Sequence, residues 1–180
     1  MKRAIVLAGP MGCGKSTFGR KLAAANPGMT WICRDEILTE LFGTVWLSPY
    51  TGEHFHGEKV MWEKIAAALQ AEHAFILLDT WNGSRKDRQG ITKQLREFGA
   101  EWIAGWRFIT AEKTGLQWYI QRESVGKDAK QLRMLNAPWR AEDYHHDYVL
   151  FHKHGVHLNQ GFDSVCDVDP TYCSFLKQPK

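Results

Sequence analysis

Apolar and polar positions follow two periods along this chain, and the switches between them lay out its elements. The run Ala4-Ile5-Val6-Leu7-Ala8 predicts a strand over residues 3–8, buried on both faces. Phe18 and Leu22, four apart, start the apolar face of a helix over 14–25, which Asn26-Pro27-Gly28 stops. Residues 29–33 read as a second strand, and Asp35 as the cap of a short helix reaching 42. The stretch 43–57 reads as irregular and rich in aromatic residues. Val60, Met61, Ile65, Ala68 and Leu69 recur at helical spacing, and Ala74-Phe75-Ile76-Leu77-Leu78 is again a run typical of parallel-sheet strands. Ser84 with Asp87 three residues later opens a helix whose Ile91, Leu95 and Phe98 share a face. A strand at 102–109, a helix at 112–124 and a last strand at 156–158 complete the order. The alternation predicts an α/β fold, a parallel sheet of about five strands flanked by helices, with right-handed crossovers and a ligand at the strands' carboxyl ends.

Composition narrows this picture. At 180 residues and 44% hydrophobic the chain can bury one full core and hardly two, so a single domain over 1–180 is expected. Its longest apolar runs, about five or six residues, are too short for a transmembrane span or a secretory core, and Met1-Lys2-Arg3 reads as part of the fold. Cys13, Cys33, Cys166 and Cys173 are expected as reduced thiols in a cytoplasmic setting, because a disulfide at Cys13 would restrict the glycine-rich loop around it. A formal charge of +3 is too mild to argue for nucleic acid without a local basic stripe.

That loop is the chain's most specific chemical signal. Residues 9–16 read G-P-M-G-C-G-K-S directly after the first strand and before a helix, the Walker A context for a nucleoside triphosphate. Gly9, Gly12, Cys13, Gly14, Lys15, Ser16 and Thr17 are the candidate nucleotide-binding residues, with Lys15 on the β- and γ-phosphates and Ser16 as a Mg²⁺ ligand. The bland alternative is a glycine-rich turn without a ligand. Asp79, ending the apolar run from Phe75, fits a Walker B carboxylate holding Mg²⁺ through water; otherwise it forms a turn or anchors a neighbour. Asp79 is followed by Thr80-Trp81-Asn82 where a guanine switch needs an Asp-x-x-Gly after its third strand, no Asn-Lys pair exists for guanine, and large motor or AAA-type ATPases need further domains. A compact kinase remains.

Here the chain resembles a family. The stretch from Gly9 to Leu22, Asn26-Pro27-Gly28, Cys33-Arg34-Asp35-Glu36, Asp79-Thr80 with Asn82 and Arg85, and Gln121-Arg122-Glu123-Ser124 resemble the kinase domain of phage-type polynucleotide 5′-hydroxyl kinases, over about residues 1–150. The resemblance implies a P-loop kinase fold with a helical lid at about 122–140, and ATP and Mg²⁺ as donor and cofactor. It also implies a nucleic-acid 5′-end as acceptor. Asp35 falls on the general base, Lys15, Ser16 and Arg122 on phosphate and metal positions, and Arg34, Trp81 and Arg85 are candidate acceptor contacts. Leu38 and Gly126 stand where that family carries arginines. A hydroxymethyl-pyrimidine, a nucleoside or another small hydroxyl compound is therefore an alternative acceptor, and a regulatory or toxin-like ATPase an alternative class.

Several features have quieter readings. Asp35 on residue chemistry alone is either a base or a helix cap, and Lys127, Lys130, Arg133 and Arg140 are either lid cations or a solvated face. Asp167-Val168-Asp169-Pro170-Thr171 matches a phosphatase motif by letters but is expected to be a coincidence in a C-terminal loop. His145, His146, His152, His154 and His157 before Cys166 and Cys173 lack the short paired spacing of structural zinc. Trp102 and Trp106 share a strand face and suggest core. Trp46, Tyr50, Phe55 and Trp81 are the candidates for stacking on bases, with His54 and His56 at the same entrance.

Overall fold

The computed structural model describes residues 1–45, 47, 51–124 and 138–172, leaving aside the side chains of 124 and 138–140. Trp46, Tyr50, Gly126, Lys127, Lys130, Arg133, Cys173 and the side chain of Arg140 lie outside the described residues. The elements run β1 (Arg3–Ala8), α1 (Lys15–Ala25), β2 (Thr30–Cys33), α2 (Arg34–Phe42), α3 (Gly52–Ala68), β3 (Phe75–Asp79), α4 (Arg85–Glu97), β4 (Trp102–Phe108), α5 (Glu112–Ser124), α6 (Pro138–His154), a 3₁₀ turn (Leu158–Gln160) and β5 (Ser164–Val168). The strands form one parallel sheet in the order β2-β3-β1-β4-β5.

The two faces of β1 show why its sequence is apolar throughout. Ala4, Val6 and Ala8 pack with Met61, Ile65, Leu69, Ile91 and Leu95, so α3 and α4 cover that face. Ile5 and Leu7 turn the other way and pack with Phe18 of α1 and Phe108 of β4. A strand at the centre of a doubly covered sheet has no polar side, and each large side chain removed from water there contributes about 1.5–3 kcal/mol. Trp102 and Trp106 lie partly buried against the second cluster. In α4, Ser84 and Asp87 form the reciprocal capping box, Ser84 Oγ accepting from Asp87 N and Asp87 Oδ2 from Ser84 N.

Four expectations are corrected. Helix α2 is capped by Cys33, with Asp35 in its first turn and not at the cap. Helix α3 begins at Gly52, so residues 52–57 are helical and not irregular. Residues 156–158 form no strand: Val156 is buried, Leu158 turns outward into the 3₁₀ turn, and the last strand is β5. Asp167 consequently sits in β5 and not in a loop, paired with Arg107 of β4 at 2.7 Å.

Candidate active site

Three strand ends meet in register: Leu7 and Cys33 both lie opposite Asp79, across β1, β3 and β2. Whatever follows each strand must therefore converge, and the 9–16 loop, Asp79 to Ser84 and the start of α2 all line one cleft of about 1650 Å³. This is the mouth expected at the carboxyl edge of a parallel sheet.

The loop after β1 is held from several sides. Gly12 adopts φ 74°, and a Cβ there would lie 2.6 Å from the Gly115 carbonyl of α5, so only glycine meets both demands. Thr110, just past β4, donates to the Cys13 carbonyl at 2.8 Å. Lys15 Nζ curls over the loop and donates to the Gly9 and Pro10 carbonyls at 2.8 and 3.0 Å. Burial works against the Lys15 charge, but the Cys13 sulfur and the Asp79 and Asp35 carboxylates outweigh it and hold its pKa above that of an ordinary lysine. The Cys13 thiol is pushed up by burial, and Cys33, buried beside Asp79, is pushed up to about 12.

Ser16 Oγ donates to Asp79 Oδ2 at 2.5 Å. Burial pushes the Asp79 carboxyl above the usual range, against the opposing pull of Lys15 and Ser16. Two adjacent hard oxygens, one on a buried acid lacking a full counter-charge, fit a Mg²⁺. Among the described residues no group of three or more His, Cys, Asp or Glu forms a separate metal cluster. The histidines of the C-terminal part are dispersed, with His145 on Glu112 at 2.6 Å and His152 against the Tyr148 ring.

Across the cleft, two acids begin α2 and only one is available. Glu36 accepts from Arg20 Nη2 at 2.7 Å and from Trp31 Nε1 at 2.8 Å. Asp35 is 53% exposed and lines the same cleft as the 9–16 loop, where its carboxylate adds to the field on both Lys15 and Asp79. Arg34 beside it is 14% exposed. Leu38, one turn on, is fully buried against Gly57 of α3, where any Cβ would collide with it, so that position packs α2 on α3 and cannot present a charge.

The remaining candidates divide. Gly9, Gly12, Cys13, Gly14 and Thr17 line the cleft, as does Trp81, 61% exposed at its rim. Arg122 lines it from α5, paired with Glu123 at 2.9 Å and lying over the Tyr119 ring. Arg85 begins α4, exposed, outside the lining; Phe55, His54 and His56 are outside it too. The sequence reading missed Arg88, which is fully buried and donates to the carbonyls of Asn82, Gly83 and Gly155 and to Gln160 Oε1. With Asn82 donating to the Leu7 carbonyl at 2.8 Å, it fixes the loop that carries Trp81. An arginine on the same helix face as Ile91 and Leu95 was the available signal.

A protein-family model described as an AAA domain matches residues 5–137, which span β1 through the segment after α5. The chain belongs to this AAA-domain family. The AAA name, set aside above on length, returns here attached to the phosphate-loop core. No curated protein matches the chain. Among solved structures, one chain of the Pnkp1/Rnl/Hen1 RNA repair complex superposes with a TM-score of 0.66 at 20% identity, covering 86% of this chain and 46% of that one. A candidate kinase from Chloroflexus aurantiacus gives 0.63 at 14%, covering 95% and 86%, and a fungal RNA kinase 0.54 at 15%, covering 96% and 77%. This chain thus spans less than half of the first of these. The shared feature is a P-loop kinase-like fold: a five-stranded parallel sheet flanked by helices. Among the described residues no helix is long and apolar enough to cross a membrane.

Proposed function

We propose that this AAA-domain protein is an ATP- and Mg²⁺-dependent kinase that transfers the γ-phosphate to the 5′-hydroxyl of a polynucleotide. The observation that carries the reading is Asp35: a cleft-facing carboxylate, free of the contacts that occupy Glu36, set opposite Lys15 on the loop that would cradle the phosphates. Phosphoryl transfer needs positioning and charge more than covalent help. The backbone of 12–16 and Lys15 would hold the triphosphate, and Arg122 would reach it from α5. Asp35 would accept the proton of the attacking hydroxyl as the new P–O bond forms and the bond to ADP breaks. Ser16 and Asp79 would hold Mg²⁺, which neutralises charge between the β- and γ-phosphates when bound.

The polynucleotide acceptor draws support from the size of the cleft, about 1650 Å³, against the roughly 300–1,000 Å³ usual for a small ligand. The RNA repair complex and the fungal RNA kinase share the fold. Trp81 at the rim offers a face for a base, and Arg34 a charge beside Asp35. One observation favours the smaller acceptors: the described lining carries seven carboxylates against five lysines and arginines, the reverse of a basic track. Phosphate transfer from γ-labelled ATP to 5′-hydroxyl DNA and RNA oligonucleotides, with nucleosides and hydroxymethyl-pyrimidine DNA alongside, separates the two. Labelling only of a small acceptor would overturn the polynucleotide reading and leave the kinase standing.

A further inference from the structure

The cleft-lining carboxylate of Asp35 is not set by α2 alone. Arg34 Nη1 lies 3.5 Å from Asp35 Oδ1, and Arg34 Nη2 lies 3.0 Å from Nδ1 of His54 on α3. An arginine has only donors, so the His54 Nδ1 must accept and its proton must sit on Nε2. That atom faces Glu58 Oε1 at 3.4 Å, one turn along α3, and the acid orients the ring as carboxylates orient histidines elsewhere. The groups form a continuous row, Glu58, His54, Arg34, Asp35, running from α3 to the mouth of the cleft.

Two further facts give the row its weight. Arg34 is 14% exposed, and its Nε is buried with no hydrogen-bond partner among the described residues, so the guanidinium is tied down at few points and the His54 bond is a large part of its anchorage. The helix pair brings the row together by packing: Arg34 and Leu38 share one face of α2, and His54 and Gly57 receive them on α3.

We infer that His54 is a positioning residue for phosphate transfer: as an Nε2–H tautomer it holds Arg34, which in turn fixes Asp35 against the incoming hydroxyl. The inference rests on the reading of Asp35 as the base. It acts on the acceptor side of the cleft, while on the donor side Lys15 is bonded to the Gly9 and Pro10 carbonyls and Ser16 to Asp79, none of them on α3.

The test compares His54→Ala, His54→Asn and His54→Gln with a 5′-hydroxyl DNA oligonucleotide as acceptor. An asparagine oxygen stands near the place of Nδ1, and a glutamine oxygen near that of Nε2. We expect His54→Ala and His54→Gln to lower kcat/KM for the oligonucleotide about tenfold, with ATP affinity within about twofold of the parent. His54→Asn should recover to within about threefold of it. Equal losses in all three variants, or no loss in His54→Ala, would overturn the positioning role. Asp35→Asn run in parallel separates the two readings: retained turnover there sinks the base assignment, whereas lost turnover with an unaffected His54→Ala sinks only the row. A substrate-free readout is the ¹⁵N spectrum of the histidine-labelled full chain, where a protonated Nε2 and bare Nδ1 at His54 support the row and the opposite tautomer contradicts it.

Discussion

The two sides of the cleft are built differently. On the donor side the 9–16 loop continues directly from β1, its lysine bonds to carbonyls five and six residues away, and Thr110 and Gly115 clamp it from behind. On the proposed acceptor side Asp35 stands half in solvent, Arg34 Nε has no hydrogen-bond partner among the described residues, Trp81 is exposed, and α3 packs on α2 behind them. On the proposed reading the triphosphate site is local, built within one loop, whereas the acceptor site is tertiary, and small changes in helix packing would re-aim it.

That contrast breaks most sharply at Lys15. Lys15→Ala removes the one side-chain cation inside the loop, and transfer should fall on the order of 10³-fold whatever the acceptor, with ATP binding weakened in the same titration. Next in size is Trp81→Ala. If a base stacks there, about 1–3 kcal/mol is lost, read as a rise of roughly 5- to 150-fold in oligonucleotide KM with the KM for ATP unmoved. A nucleoside-sized acceptor that ignores the change would place the acceptor elsewhere in the cleft.

Gly57→Ala sharpens the comparison from a distance. The new methyl forces α3 away from Leu38, at a cost of about 1–3 kcal/mol in chemical denaturation, and should weaken acceptor turnover while sparing ATP affinity. The smallest effect lies in the sheet. Burial pushes the Asp163 carboxyl up, but the Ile103 N–H at 2.6 Å and Arg96 more than reverse this, so its folded pKa lies below the ordinary value of about 3.9. A depressed carboxyl stabilises the fold fully above that value and loses the contribution as pH falls through the folded pKa. Denaturation of Asp163→Asn should therefore differ from the parent at neutral pH and converge with it in acid below about pH 4.

How much of this was legible follows the same division. The loop, β1, β3 and the α4 capping box carry local signals, because a buried central strand is apolar on both faces and a cap is written within four residues. The first turns of α3 were missed because the stripe they turn inward is His54, Gly57 and Met61, polar and small before it becomes apolar. Strand β5 was missed because an edge strand is only partly covered: Val165 and Val168 pack on opposite faces of the sheet, while Cys166 and Asp167 between them are exposed and break the apolar run. Asp35, Lys15, Ser16 and Asp79 were singled out and do converge. What placed Arg34 beside them, the α3 histidine, has no motif, since it is defined by a neighbour twenty positions away.

The most direct measurement is transfer of labelled γ-phosphate to a 5′-hydroxyl oligonucleotide by the parent and by Asp35→Asn, with ATP affinity titrated on both. The account predicts a loss of about 10²- to 10⁴-fold in transfer and an ATP affinity within about twofold. Undiminished transfer by Asp35→Asn would contradict it.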